Sequence, residues 1–224
     1  MRYFLLFIAA GSAFIDAACL GPPRAGSPLA EAAGRNDAET VATLLADTPR
    51  DAVVLHWPLT WAARNGAIDA MAVLIDAGAG VNERDDNRRA WTPLHHAIHK
   101  QQVNAVQLLL ERGADPNAAD HPGALTPLLM AVIDSDPAIT KLLLAYGADP
   151  HIAGEWGDTP LIRAVDGGAL SDIDRPLLGG CHVETVRALM AHDPTLRLPR
   201  DFPGHTARWW ARFHGCDEVL NLVR

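Results

Sequence analysis

Aromatic residues and positive charge are both scarce in this 224-residue sequence. Phe, Trp and Tyr together make up 6% of the chain, whereas Ala and Leu are abundant. Because β-sheet sandwiches are rich in aromatic and β-branched residues, this composition favours close-packed helices. The formal net charge of −8 makes the polyanionic backbone of a nucleic acid an unfavourable ligand. We therefore expect an all-α protein that does not bind nucleic acid.

The sequence also lacks the motifs of catalysis. It contains no Gly-rich phosphate loop, no nucleophile elbow and no Cys-His arrangement typical of an enzyme family. His95 and His99 have the i,i+4 spacing of a metal-binding pair, but no carboxylate or Cys follows at a ligand spacing. Asp172 and Asp174 resemble half of a calcium loop whose Gly and terminal Glu are missing. We predict neither an enzyme nor a metal or cofactor site.

The first 18 residues have the layout of a secretory signal peptide. Arg2 provides a positively charged start, residues 3–15 form an uncharged and mainly apolar run, and small residues follow. A membrane-spanning helix needs about 20 apolar residues, so this run is short for one; a buried N-terminal helix is the alternative. We interpret residues 1–18 as an export signal and residues 19–26 as a linker, and we expect a periplasmic protein of bacterial origin.

The cleavage site allows two interpretations. Ala17-Ala18-Cys19 is similar to the lipobox of bacterial lipoproteins, in which the Cys is lipidated, but Asp16 stands where that motif has an apolar residue. Ordinary cleavage near Ala18 or Cys19 is the leading interpretation. A lipoprotein anchored to the membrane at Cys19 is the alternative.

The cysteine content fits export. Removal of Cys19 leaves Cys181 and Cys216, an even pair that could form one disulfide in an oxidising compartment. In the cytosol the same two residues would instead be small buried hydrophobes.

A sequence motif recurs at a period close to 33 residues. Prolines 58, 93, 127 and 160 are separated by 35, 34 and 33 residues, and each of them precedes a Leu. Such self-similarity is typical of stacked-repeat proteins. The two clearest copies begin with Thr92-Pro93-Leu94-His95 and Thr126-Pro127-Leu128-Leu129, and they end with Gly113-Ala114-Asp115 and Gly147-Ala148-Asp149.

This pattern resembles the ankyrin repeat, in which two short helices follow a Thr-Pro-Leu-His motif. The resemblance covers residues 27–224 and implies an all-α ankyrin-repeat solenoid of about six helix-turn-helix repeats with β-turn fingers. Pro is favoured at the first helical position, Thr caps the free N–H groups, and Gly suits the left-handed residue after a helix. We expect repeats at residues 27–57, 58–91, 92–125, 126–158, 159–204 and 205–224.

Two segments depart from the family pattern. The finger at residues 82–91 is longer than usual, and its stretch from Arg84 to Arg89 carries both charge signs, which indicates a solvated loop. The fifth repeat contains an insertion at residues 167–180 between its two helices. Insertions in repeat proteins often map to a binding face. A surface loop also tolerates extra residues at little cost, so both interpretations of the insertion remain open.

The resemblance implies that a protein partner binds at the concave face of the first helices and at the finger tips. Trp and Arg are enriched in binding hot spots, although some of these Trp side chains could instead fill the core. We expect a monomeric scaffold or adaptor in the bacterial envelope, or alternatively an inhibitor or immunity protein that occludes a toxin or an envelope enzyme. The expected partner-binding residues are Trp61, Arg64, Arg88, Trp91, His96, His99, Met130, Trp156, Arg163 and Trp210.

The same register places Cys181 and Cys216 before the second helices of the fifth and sixth repeats. Because neighbouring repeats place equivalent junctions side by side, we expect a disulfide in the exported protein. It would staple the terminal repeat, which is the repeat most prone to fray.

Overall fold

The structure, a computed structural model, describes residues 27–47, 55–86, 89–120, 125–166, 181–198 and 202–223. The chain divides into two compact units, one spanning Gly21–Pro122 and the other including Gly123–Arg224. Every regular element within the described residues is a helix, which confirms the expected all-α fold.

The unit that spans Gly21–Pro122 consists of three helix pairs in its described part. The first helices of the pairs, α1, α3 and α5, pack on one another in sequence, and the second helices, α2, α4 and α6, do the same. The pairs are α1 (Pro28–Gly34) with α2 (Ala38–Ala46), α3 (His56–Asn65) with α4 (Ile68–Asp76), and α5 (Pro93–His99) with α6 (Val103–Glu111).

The unit that includes Gly123–Arg224 repeats the same arrangement. The first helices α7, α9 and α11 pack in sequence, and the second helices α8, α10 and α12 do the same. The pairs are α7 (Pro127–Ile133) with α8 (Pro137–Ala145), α9 (Pro160–Asp166) with α10 (Val183–His192), and α11 (Phe202–Phe213) with α12 (Asp217–Leu222).

The Thr-Pro motif starts the first helices in the way the sequence predicts. The Thr126 hydroxyl accepts from the Leu129 N–H at 3.2 Å, and a Pro at the next position has no N–H to leave unsatisfied. At α5, the Thr92 N–H donates to His95 Nδ1 at 3.3 Å, and the Thr92 hydroxyl lies 2.8 Å from the same nitrogen. His95 is fully buried, so its imidazole serves as a structural cap.

Small side chains allow the first helices to approach closely. Several alanines on these helices are fully buried beside larger side chains such as Leu94 and Leu128, and the second helices bury Leu74 and Leu109. Close approach of short helices explains why the core needs few aromatic residues. The fully buried first-helix alanines are Ala32, Ala33, Ala62, Ala63, Ala97, Ala131 and Ala164.

Asparagine side chains tie consecutive repeats together. Asn82 Oδ1 accepts from the Asp115 N–H at 2.8 Å, and its amide donates to the Gly113 carbonyl at 3.0 Å. Gly113 has a φ of +87°, the left-handed conformation that a Gly adopts without strain after a helix. One repeat therefore satisfies the free backbone groups at the end of the next.

A disulfide joins Cys181 to Cys216, with their Cα atoms 5.4 Å apart. Cys216 is the N-cap residue of α12, and Cys181 lies two residues before α10. The bond thus links the starts of two adjacent second helices across 35 residues of chain.

Several expectations concern residues outside the described part of the chain. They are the export signal at 1–18, the linker at 19–26 with the possible lipidation at Cys19, the finger residue Arg88 and the insertion at 167–180. Among the helices that the structure describes, none has both the length and the apolar character needed to cross a lipid bilayer.

We predict that a Cys181→Ser, Cys216→Ser variant loses about 3 kcal/mol of unfolding free energy, because a closed loop of 35 residues no longer restricts the unfolded chain. Urea denaturation followed by Trp fluorescence measures this loss. A reductant should destabilise the wild type to the same extent and leave the variant unchanged. Equal stability of the oxidised and reduced wild-type protein would contradict the prediction.

Candidate functional site

In the unit that spans Gly21–Pro122, Trp61 and Arg64 lie on α3 and are half-buried. The Arg64 guanidinium carbon lies 5.9 Å from the centre of the Trp61 ring, within range of a cation–π interaction. Trp61 also packs against Gly34 of α1, where a Cβ atom would come within 2.2 Å of the indole. Part of the Trp61 ring therefore fills the space between two repeats, and the residue as a whole stays half-buried.

The expectation that Trp91 faces a partner is wrong. Its side chain is only 1% exposed, and its ring contacts the imidazoles of His96 and His99 at centroid distances of 5.2 and 5.4 Å. The long finger folds back so that the indole becomes part of the core. Removing so large an apolar surface from water stabilises the folded chain.

His96 is also buried, so the expectation that it contacts a partner is wrong as well. Its Nε2 lies 2.7 Å from Oδ2 of Asp85, which is itself buried. The other oxygen of Asp85 accepts from the Trp91 N–H at 3.0 Å, and the Asp85 N–H donates to the Trp91 carbonyl at 2.9 Å. We call Asp85, Trp91 and His96 the finger clasp, because together they hold the finger against α5.

Arginines outside the clasp hold the same finger. Arg84 donates to the carbonyls of Ala90 at 2.9 Å and Ala119 at 2.7 Å, and Arg89 pairs with buried Asp120 at 3.1 Å. The interpretation of residues 84–89 as a solvated loop is therefore wrong for Asp85 and incomplete for Arg84 and Arg89. His99 lies half-buried beside Trp91 and keeps part of its surface exposed.

In the unit that includes Gly123–Arg224, the expected contact residue Met130 is buried within α7. The expectation that it reaches a partner is wrong, because its thioether fills the core between helices. Arg163 is half-buried, and its Nε donates to Asp158. Asp158 also accepts from the Trp156 N–H at 3.2 Å, so one carboxylate connects the finger to α9.

Trp156 is 72% exposed at the tip of this finger. The turn that carries it continues through Gly157, whose φ of +72° is in the left-handed region, and closes with a hydrogen bond from the Gly154 N–H to the Asp158 carbonyl at 3.0 Å. The backbone is thus held while the indole projects into solvent, as expected of a contact residue.

A pair of stacked aromatic rings lies exposed on α11. Trp209 is 52% exposed and Phe213 is 68% exposed, and their rings stack at a centroid distance of 5.2 Å with an interplanar angle of 13°. We call these two residues the aromatic ridge. The sequence does carry a signal for the ridge, because the i,i+4 spacing of two aromatic residues on a helix places them on one face. We did not include Trp209 among the expected partner-binding residues.

Trp210, which we did expect at the surface, is half-buried. Its ring stacks on the His214 imidazole at 5.3 Å with an interplanar angle of 7°. It therefore supports the ridge from behind and retains an exposed edge.

Two titratable groups near the ends of α10 have shifted pKa values. The Thr195 hydroxyl and N–H donate to Asp193 and, with a smaller contribution from His151 at 3.0 Å, lower the pKa of that carboxyl. Burial lowers the pKa of His182, which precedes α10. Both shifts have structural causes that lie away from the aromatic ridge. Within the described residues, no group of three or more His, Cys, Asp or Glu side chains is arranged to hold a metal ion.

Comparisons with known proteins agree with the repeat pattern. A family model described as ankyrin repeats in three copies matches residues 29–120, and a model for a single ankyrin repeat matches residues 125–155. The human 2-5A-dependent ribonuclease is 37% identical over 75 residues, which is 34% of this chain and 10% of that protein.

Two further relatives match regions of similar size. A Caenorhabditis elegans homolog of ankyrin repeat and LEM domain-containing protein 1 is 49% identical over 69 residues, which is 31% of this chain and 9% of that protein. The human palmitoyltransferase ZDHHC13 is 40% identical over 65 residues, 29% of this chain and 10% of that protein. The chain thus spans about a tenth of the length of these three relatives.

We predict that Asp85→Ala lowers the unfolding free energy by about 3 kcal/mol, because it leaves the Trp91 N–H and a buried imidazole without their acceptor. Asp86→Ala is the matched control, since Asp86 is the exposed neighbour and its removal should cost less than about 0.5 kcal/mol. Urea denaturation measures both values. Equal stability of the two variants would rule out a structural role for the finger clasp.

Proposed function

The chain belongs to the ankyrin repeat family, and from this membership we propose that it is a monomeric, exported scaffold that holds a protein partner in the bacterial envelope. Ankyrin repeats in general form protein-protein interaction scaffolds. Their rigid helix stack presents side chains without a large ordering cost on binding. Family membership alone does not imply the envelope location or the binding surface, which are therefore parts of this proposal.

The aromatic ridge is the observation that carries the binding proposal. Trp209 and Phe213 are each more than half exposed, although Ala207 and Ala211 of the same helix are buried. Large aromatic side chains on a rigid helix are typical of binding hot spots, because they bury much area and lose little conformational entropy. α11 is a first helix, so the ridge lies on the element through which ankyrin repeats bind. Trp156 offers a second exposed indole on a finger of the same unit.

The expected binding surface becomes smaller because some of its residues are buried. Trp91, His96 and Met130 belong to the core and carry no contact in this proposal. The expected residues that retain exposed surface within the described part of the chain are Trp61, Arg64, His99, Trp156, Arg163 and Trp210.

We predict that a Trp209→Ala, Phe213→Ala variant weakens partner binding at least about tenfold, because two hot-spot rings are removed. The partner is first identified by cross-linking in the envelope and mass spectrometry, and its affinity is then measured with purified proteins. Tyr146→Ala is the control, since Tyr146 is a 40% exposed aromatic at the end of the second helix α8. Trp156→Ala tests the finger separately. Unchanged affinity of the ridge variant would disprove a binding role for the ridge.

Export is supported by two independent features. Residues 1–18 have the layout of a signal peptide, and Cys181 and Cys216 lie at disulfide distance, which suits an oxidising compartment. Membrane anchoring at Cys19 is the alternative form of the same proposal.

We predict that bacterial expression yields a soluble periplasmic protein whose mass corresponds to cleavage near Ala18 or Cys19. An Asp16→Leu variant supplies the apolar residue that the lipobox requires, so it should gain the mass of a lipid and move to the membrane fraction. Fractionation and intact-protein mass spectrometry measure both outcomes. A full-length cytosolic chain in which Cys181 and Cys216 are free thiols would contradict export.

An inhibitor or immunity protein is the second candidate. The same preorganised surface that suits a scaffold also suits tight occlusion of a toxin or envelope enzyme. Addition of the purified chain to its identified partner distinguishes the two functions. An inhibitor abolishes the partner's activity at a one-to-one ratio, whereas a scaffold leaves that activity intact.

A further inference from the structure

The turn between the two helices of a pair has the same backbone conformation in both units. One residue of the turn has a positive φ, and the next N–H donates to the carbonyl of an Ala five residues before it. The Asp136 N–H donates to the Ala131 carbonyl at 3.0 Å, and the Cys216 N–H donates to the Ala211 carbonyl at 2.8 Å. Positions counted from the turn residue can therefore be compared from pair to pair. These turn residues are Asn36, Gly66, Gln101, Ser135 and Gly215.

Three positions are accessible in the terminal pair although their counterparts in earlier pairs are buried. Trp209 and Arg212 are exposed, and Leu220 is half-buried. In every pair that has a described turn and is followed by another pair of its own unit, the counterpart is no more than 3% exposed. The following pair therefore covers these positions, and they lie open on α11 and α12, which no described pair follows. The counterparts are Ala30, Thr60 and Leu129 for Trp209, Ala33, Ala63 and Val132 for Arg212, and Val41, Met71 and Thr140 for Leu220.

The position of Phe213 also faces the following pair elsewhere in the chain. Phe213 lies two residues before its turn residue, as Gly34 does in the first pair. A Cβ atom at Gly34 would lie only 2.2 Å from the indole of Trp61 in the following pair, so this position is directed at the next repeat. The end face, as we call the open surface of the terminal pair, consists of Trp209, Arg212, Phe213 and Leu220.

The chemistry of the end face is that of a binding surface. The outer face of a terminal repeat is usually polar, whereas Trp209 and Phe213 expose two stacked rings here. The end face also differs from the contacts inside the units, because the exposed Arg212 stands where Ala63 and Val132 are fully buried. Trp and Arg are enriched in binding hot spots. A charge that becomes buried needs an opposite charge, so an occupant of this face must bring a carboxylate to Arg212.

We propose that the end face docks a helix pair of the protein partner, which stacks on α11 and α12 as a further repeat would. The end face continues the interface by which α11 packs on α9 and α12 packs on α10, and in each unit a helix pair covers that interface. The partner's helices bury the two aromatic rings, and an Asp or Glu between them pairs with Arg212 through two parallel hydrogen bonds. The inference deepens the proposed function and rests on it in one respect, namely that the occupant belongs to a protein partner.

The test introduces the photoreactive residue p-benzoylphenylalanine into the full chain, either at position 213 on the end face or at position 156 on the finger tip. The cells that produce the chain are irradiated, and mass spectrometry locates the cross-linked residues of the partner. We expect position 213 to label two neighbouring helices of the partner and position 156 to label neither. The ¹³Cα chemical shifts of the purified partner show whether the labelled segments are helical.

Arg212→Glu should weaken binding of the purified partner at least about tenfold, because it places two negative charges opposite each other. Replacement of the facing partner carboxylate by Lys should then restore most of the lost affinity. Arg212 is exposed, so its reversal should leave the fold intact, which thermal unfolding followed by circular dichroism checks. Lys141→Glu is the matched control, since it reverses the same charge at an exposed position of α8 and should leave the affinity unchanged.

Four outcomes would overturn the inference. The first is a partner labelled from position 156 but not from position 213. The second is a labelled segment that is extended and not helical. The third is an affinity that Arg212→Glu leaves unchanged or that the partner's Lys variant does not restore. The fourth is another occupant: position 213 of the purified chain cross-links to a second copy, or the chain sediments with phosphatidylglycerol vesicles and Trp209→Ala abolishes this binding. In the first three cases a partner is still bound and the proposed scaffold function stands, whereas a chain that labels no protein from either position would overturn both.

Discussion

Helices of six to twelve residues cannot bury an apolar face alone, and within each of the two units every pair depends on contact with its neighbour. The first helices meet through buried alanines, which bring their backbones close, and they bury large side chains such as Leu94 and Leu128 beside them. Thr caps and Gly turns satisfy the backbone groups that so many helix ends release. Asn82 then connects one repeat to the helix end of the following repeat. Each unit is therefore held by contacts between neighbouring pairs, and the surface of each pair is free to vary.

The finger clasp shows how one pair varies within its unit. Ordering a finger longer than the family pattern costs conformational entropy, which contacts with the rest of the unit must offset. The buried Asp85 accepts hydrogen bonds from the Trp91 N–H and lies 2.7 Å from the His96 imidazole. The clasp thus buries Trp91 and His96, which a partner could otherwise contact. In the other unit, Asp158 connects to Trp156 and Arg163 but leaves the indole of its finger exposed. In both fingers an Asp accepts from the N–H of a Trp, yet the Trp side chain is buried in one finger and exposed in the other.

Two surfaces of different chemistry occur on α11. The aromatic ridge is apolar and projects into solvent, whereas Arg208 and Arg212 on the same helix carry positive charge. On a helix, residues four positions apart lie on one face and adjacent residues point in different directions, so both surfaces fit on a single first helix.

The helix pairs, their caps and the disulfide partners follow from local patterns, because the Thr-Pro starts, the Gly ends and the repeat period encode them directly. The sequence by itself therefore determined the fold, the family and a candidate list of surface positions. It did not determine which of those positions stay exposed. Trp91, His96 and Met130 occupy register positions like those of Trp61 and Trp156, yet they are buried, because exposure depends on how the finger folds back and how neighbouring helices pack.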